Sequence, residues 1–288
     1  MSAGGNAGTT GGMKITRPQA TLFLGTAVVF MTLFFVIPLL MVFITSFQPP
    51  QGNALKNYEE VAGDVYFWRV LLNTFRISLW VTLITFIMGY ILSYSLNFHL
   101  KRPVIRRLVY ISAVLPLFVS NIVRSFGWIV LLGREGLIND TMISLGVFSA
   151  PVQLLYTDGS VIVTLSYVML PFMILTLNSV FQNINPSLID ASRDLGAGPL
   201  VTFFKVTFPL SLPGVVAGSL IVFTLSVSAY VTPSVMSGGR LMVMPILIYD
   251  YYMVELDFSM GAALAMMLLL ASISIISVYL FILKRYTR

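Results

Sequence analysis

Apolar residues run along this chain in long, nearly unbroken stretches divided by short polar ones, and six stretches are long enough for a helix to cross a bilayer. They cover roughly 21–47, 70–98, 107–132, 159–182, 209–236 and 258–283. Prolines Pro38, Pro116, Pro171 and Pro233 fall within or at the edges of these stretches and predict kinks, because each removes a backbone donor. Ahead of the first stretch, residues 1–20 are rich in Gly, Ala and Thr and predict a disordered tail. The first stretch is too long for the core of a signal peptide and reads as a retained span.

Charge gives the spans a direction. If the N-terminus is inside, one side collects Lys14, Arg17, Lys101, Arg102, Arg106, Arg107, Arg193, Lys205, Lys284, Arg285 and Arg288. The opposite connections hold Lys56, Arg134 and Arg240. The positive-inside rule therefore puts both termini in the cytoplasm. Of the 288 residues 57% are hydrophobic and 10% charged, against about 25% charged in a soluble domain, so composition agrees with a polytopic membrane protein. Topology accounts for the net charge of +6, and nucleic acid needs no place in the reading. The outer connections, roughly 48–68, 133–157 and 237–257, carry Tyr66, Phe67, Trp68, Tyr249, Tyr251 and Tyr252, which predict interfacial belts or short helices on the membrane surface.

Chemistry-bearing residues are few. There is no cysteine, and the one histidine, His99, stands beside basic residues in "NFHLKRP" and reads as a membrane-surface side chain. An intramembrane enzyme would need a nucleophile and base or a metal cluster in the bilayer, and this composition supplies neither. The phosphate-binding pattern G-x-x-x-x-G-K-[ST] is absent, and none of the six stretches contains Asp or Glu to serve as a proton or ion relay. A stand-alone secondary carrier is the alternative reading, and the acid-free spans argue against it. A transporter with neither device must take its energy from a partner.

One inside connection looks built for that purpose. "NPSLIDASRDLGAG" predicts a short helix with Asn185 as cap, Pro186 in the first turn and Gly196 or Gly198 as the stop. A second helical piece in "GPLVTFFKVTFPL" leads to Pro209. The stretch resembles the cytoplasmic signature of ABC importer permease subunits, in which Glu-Ala-Ala, three residues, Gly and a later Leu-Pro form the helix that docks into an ATPase. Asp190, Ala191 and Ser192 hold the Glu-Ala-Ala positions, Gly196 the glycine and Pro209 the proline, with aspartate for glutamate and serine for alanine as departures. Small residues at 191 and 192 suit close approach to a groove, and the acid suits a basic partner group.

The resemblance covers essentially the whole chain. "NTFRISLWVTLITFIMGYILSYSL" at 73–96 is similar to the second span of such permeases, while "VRSFGWIVLLGREGLIND" and "SAYVTPSVMSGG" resemble the spermidine/putrescine-type subgroup and its relatives. It implies an all-α polytopic fold of six transmembrane helices, the type I ABC importer permease fold, as a single domain over 21–288 with a coupling loop at 183–211. It further implies a bacterial inner-membrane location, a partner ATPase dimer, a second homologous permease and a periplasmic solute-binding protein. The chain itself would bind no cofactor, ATP and Mg being held by the ATPase. The implied cargo is a small polar solute such as a polyamine, opine, amino-acid-like compound or aminophosphonate.

Arg124 is the charged residue deepest in a predicted span and marks either the translocation path or a structural bond, to carbonyls freed near Pro116 or to an outer acid. Asn121, Tyr167, Asn178, Ser226 and Tyr230 are further path candidates, as are Ser125, Ser228 and Thr232, each of which could instead join helices. Arg69 and Arg76 read as snorkelling to the outer surface. Gly25, Gly89, Gly214, Gly218 and Gly261 suit close helix contacts.

Overall fold

The computed structural model describes residues 24–26, 28–100 and 102–286, so the tail expected over 1–20 lies outside the described residues. All regular structure among them is helical. Five helices are long and apolar enough to span: α1 (Leu24–Thr45), α3 (Val65–His99), α7 (Asp158–Gln182), α9 (Pro199–Val227) and the last, α12 (Phe258–Tyr286), whose qualifying stretch ends at Leu283. Between α1 and α3 lies α2 (Lys56–Gly63). A bent pair supplies a sixth crossing if counted as one span: α4 (Pro103–Phe118) and a second limb over Asn121–Ser144, made of α5 (Asn121–Leu132) and α6 (Leu137–Ser144). The remaining helices are α8 (Pro186–Asp194), α10 (Val231–Met236) and α11 (Met244–Met253). Helices α2, α6 and α11 fulfil the expectation of short helices in the outer connections.

Local signals set these boundaries. Helix α3 begins five residues before the expected 70, because the Asp64 side chain accepts the Tyr66 N–H at 2.8 Å and draws the interfacial aromatics into its first turn. Helix α7 starts on a capping box in which Thr157 and Ser160 each accept the other's backbone N–H.

The third stretch, expected as one helix over 107–132, is broken. Pro116 cannot donate, so the chain tightens into a 3₁₀ turn at Leu115–Phe118, runs extended through Val119 and Ser120, and restarts at Asn121 with the axes 108° apart. The fifth stretch, expected over 209–236, is displaced. Its helix starts at Pro199 and ends at Val227, where the Ser228 hydroxyl donates to the carbonyls of Thr224 and Leu225. The piece before Pro209 is thus continuous with the span. Continuity is kept by a wide π turn at Phe203–Thr207, where the Phe208 N–H reaches Phe203 O and the proline's missing donor and ring are accommodated. Pro38 follows a similar π turn at Thr32–Val36.

The core is the contact of α3, α7 and α9, with Val81, Val161, Leu165, Met173, Leu177 and Val222 all at most 1% exposed. Met173 is held from two sides: a Cβ on Gly89 would lie 2.7 Å from its Cγ, and one on Gly218 would lie 2.6 Å from its Sδ. Gly214 against Val180 and Gly261 against Tyr252 are similarly tight, whereas a Cβ on Gly25 would meet nothing within 4 Å among the described residues. At the outer end Arg76 forms an ion pair with Asp158, tying α3 to α7 where a free snorkelling arginine was expected. Helix α11 is fixed to α3 by the Met244 N–H donating to Thr74 Oγ1 at 2.8 Å.

Candidate coupling helix and translocation pocket

Helix α8 protrudes between α7 and α9 at the end of the bundle that carries the basic connections. Asn185 caps it by accepting the Ser187 N–H at 3.0 Å, and Pro186 occupies the first turn. Its far end closes in a Schellman motif: the Gly196 N–H donates to Arg193 O at 2.8 Å and the Ala197 N–H to Ser192 O at 3.1 Å. Gly196 sits at φ +82° with open space where a Cβ would be, so backbone conformation and not crowding calls for glycine there.

The residues of the signature divide between two faces. Ser192 turns inward, its hydroxyl 3.0 Å from that of buried Thr202 on α9, and Ile189 is buried beside it. Ala191 and Asp190 stay on the open face, where Asp190 lies 3.7 Å from Arg193 in an exposed pair. Of the two small residues, then, Ala191 is free to meet a partner and Ser192 fixes α8 to its own chain. Pro209 is some distance away, within α9, where it shapes the wide turn. Around α8 lie exposed apolar side chains: Leu195 is 89% exposed and Leu200 73%, with Leu188 and Phe204 exposed beside them.

The wide turn also anchors the protrusion to the core. Phe203 packs edge-on against Tyr90 and Tyr94 of α3 at 5.8 and 5.4 Å between ring centroids, and Phe181 of α7 joins the same group at 5.4 Å from Tyr90. The Tyr90 hydroxyl lies 2.9 Å from that of Ser211 in α9.

A cavity of about 450 Å³ opens where α5, α7, α9 and the short break before α10 meet. It gathers Asn121, Arg124 and Tyr230 of the path candidates, together with Ser228 and Thr232, against an apolar wall that includes Met169 and Phe172. Sequence reasoning did not pick out that wall, whose residues look like any other packed positions of a span. Ser125 sits behind the cavity, donating to Asn121 O and Thr232 Oγ1, and so ties α5 to α10. The chain break at Val119 and Ser120 places Arg124 in the first turns of α5, where its side chain donates from Nη2 to Asn121 Oδ1. Among the described residues neither a carbonyl freed near Pro116 nor an outer acid receives it, and Nε and Nη1 are buried without an acceptor.

The other three candidates do not line it. Tyr167 packs against Trp128 at 5.7 Å and lies within electrostatic reach of Arg124. Ser226 is buried in α9, its hydroxyl without a hydrogen-bond partner among the described residues. Asn178 accepts from Asn97 Nδ2 at 2.7 Å beside a second cavity of about 540 Å³ at the basic end, lined also by Arg106 and Arg107.

Comparison with known proteins gives this arrangement a family. Residues 82–288 match the binding-protein-dependent transport system inner membrane component family. The spermidine/putrescine transport system permease protein PotB of Haemophilus influenzae is 31% identical over 264 residues, covering 88% of this chain and 91% of that protein. The putative 2-aminoethylphosphonate transport system permease protein PhnU of Salmonella typhimurium is 27% identical, covering 91% of each. Among solved structures, a bacterial alginate ABC transporter in complex with an alginate pentasaccharide-bound periplasmic protein aligns with a TM-score of 0.76 at 16% identity, over 93% of this chain and 95% of that one. That likeness concerns the fold, the type I arrangement of ABC importer permeases. The chain belongs to the family of binding-protein-dependent transport system inner membrane components, the permease subunits of ABC importers, within the spermidine/putrescine-type subgroup.

Proposed function

We propose that this chain is one half of the pore of a bacterial inner-membrane ABC importer that carries a small polar solute from periplasm to cytoplasm. The second half is a homologous permease, a periplasmic binding protein delivers the solute, and a partner ATPase dimer, holding ATP and Mg, drives alternating access between outward- and inward-facing states. Helix α8 with its flanking turn is the coupling element, through Asp190, Ala191, Ser192, Gly196 and, at a distance, Pro209. The observation that carries this reading is the combination at α8: a helix capped at both ends, pinned to the chain by Ile189 and Ser192, and ringed by exposed Leu188, Leu195, Leu200 and Phe204. Leu188 and Leu195 lie outside the spanning helices, and exposed apolar side chains there call for a protein surface to cover them.

Purification of the chain in mild detergent, followed by mass spectrometry of the proteins retained, tests the reading. An ATPase and a second permease are expected with the wild type, and loss of the ATPase from an Asp190→Lys, Gly196→Val double variant. Recovery of the chain alone from both preparations, under conditions that preserve a known ABC complex, would favour a stand-alone carrier.

A further inference from the structure

At the basic end of the bundle the cavity of about 540 Å³ lies between the last turns of α3 and α7 and the first turns of α4. Arg106 and Arg107 line it, both exposed; among the described residues neither pairs with a carboxylate, and no Asp or Glu joins the lining. The most buried polar residue of the lining is Asn178, 8% exposed. Its Oδ1 is taken by Asn97 Nδ2, while its own Nδ2 has no acceptor among the described residues. Helix α4 opens here at Pro103 without a side-chain cap, which leaves its first N–H groups to another acceptor. Donors therefore converge from three helices on a space that carries positive charge and no counter-charge. From the same place an apolar stripe runs along α4. Val104 and Leu108 belong to the cavity wall, Ile111 and Leu115 follow at helical spacing, and all four are 50–68% exposed.

We propose that this cavity binds the phosphodiester headgroup of an anionic phospholipid such as phosphatidylglycerol, with an acyl chain lying along the α4 stripe. Phosphate oxygens accept from Arg106, Arg107 and Asn178 Nδ2, and guanidinium–phosphate hydrogen bonds are directed and charge-assisted. The polar headgroup beyond the phosphate meets Tyr110 and Gln182. Basic pockets between spanning helices at the cytoplasmic face hold anionic headgroups in this way, because the leaflet there supplies the counter-charge that the protein omits. A soluble phosphate would use the arginines and the amide but leave the stripe uncovered; a lipid satisfies both. The inference goes beyond the import function, and its test does not depend on transport.

The test uses the purified full chain, with whatever partners it retains, in native mass spectrometry after incubation with dioleoylphosphatidylglycerol, dioleoylphosphatidylcholine or inorganic phosphate. Saturable retention of phosphatidylglycerol over phosphatidylcholine is expected. An Arg106→Gln, Arg107→Gln double variant should weaken that retention about tenfold or more, the loss that follows removal of a charge-assisted hydrogen bond. An Arg193→Gln, Lys205→Gln double variant removes the same charge from the same end of the bundle outside the cavity and should keep the lipid. Asn178→Asp preserves the oxygen that Asn97 donates to and sets a carboxylate in the cavity, so it should weaken retention as well. Equal retention of both lipids, or of phosphatidylglycerol by every variant, would overturn the inference. Inorganic phosphate bound as tightly as the lipid would assign the cavity to a soluble anion and overturn it too. So would absence of the lipid from preparations that retain a second permease, since that subunit would then cover the cavity.

Discussion

Glycine shows at the residue scale how closely this bundle is packed. Met173 fills the space left by two missing side chains, at Gly89 and Gly218, so the three core helices meet around one thioether. Gly218→Leu forces several carbon atoms into that contact and should destabilise the protein by about 1–3 kcal/mol, through overpacking of a site with no free volume. Gly25→Leu, with nothing within 4 Å of a Cβ among the described residues, should not destabilise it, since leucine is the better helix former. Thermal denaturation of the two purified variants in detergent checks the contrast, and an equal change in both would show that the contact with Met173 is not what Gly218 serves. The sequence pointed to Gly89, Gly218 and Gly25 alike, because a glycine in an apolar run looks the same whether or not a neighbour leans on it. Arg76 and Asp158 illustrate the same limit: 82 positions separate them, and pairing across that distance is a tertiary fact.

At the scale of elements, boundaries that depend on a local signal were legible and those that depend on continuity were not. The caps at Asn185 and Gly196 define α8 in sequence and in structure. Hydropathy runs unchanged across the break at Val119 and Ser120, so Pro116 announces a disturbance there without revealing that the axes turn by 108°. Conversely, Pro209 suggests a helix start, yet the chain absorbs it in a π turn and continues. The stop of α8 yields a prediction of its own. Asparagine tolerates positive φ and a β-branched residue does not, so Gly196→Asn should retain the co-purifying ATPase while Gly196→Val loses it. Quantifying the ATPase recovered per permease checks this, and equal retention by both would separate the Schellman turn from docking.

For the whole molecule, orientation is the property that sequence charge addresses most directly. Absence of cysteine makes it simple to measure, since a single introduced thiol is the only one in the chain. Leu195 and Leu145 are both well exposed, the first beyond α8 and the second just after α6, on connections expected at opposite faces. A membrane-impermeant maleimide applied to intact spheroplasts should label Leu145→Cys and spare Leu195→Cys, and the reverse pattern would invert the topology.

The aromatic group around Phe203 has a mechanical consequence. It joins the root of the protruding helix to α3 and α7 as well as to α9, so a force applied at α8 reaches the three core helices together. The part of α9 beyond the wide turn, Phe208–Val227, has 20 residues and is about 30 Å long. Its far end borders the cavity holding Arg124. If α8 is the coupling element proposed above, a tilt of about 10° of the three core helices as one body would sweep that end through about 5 Å, a displacement comparable to one helical turn, with their mutual packing kept.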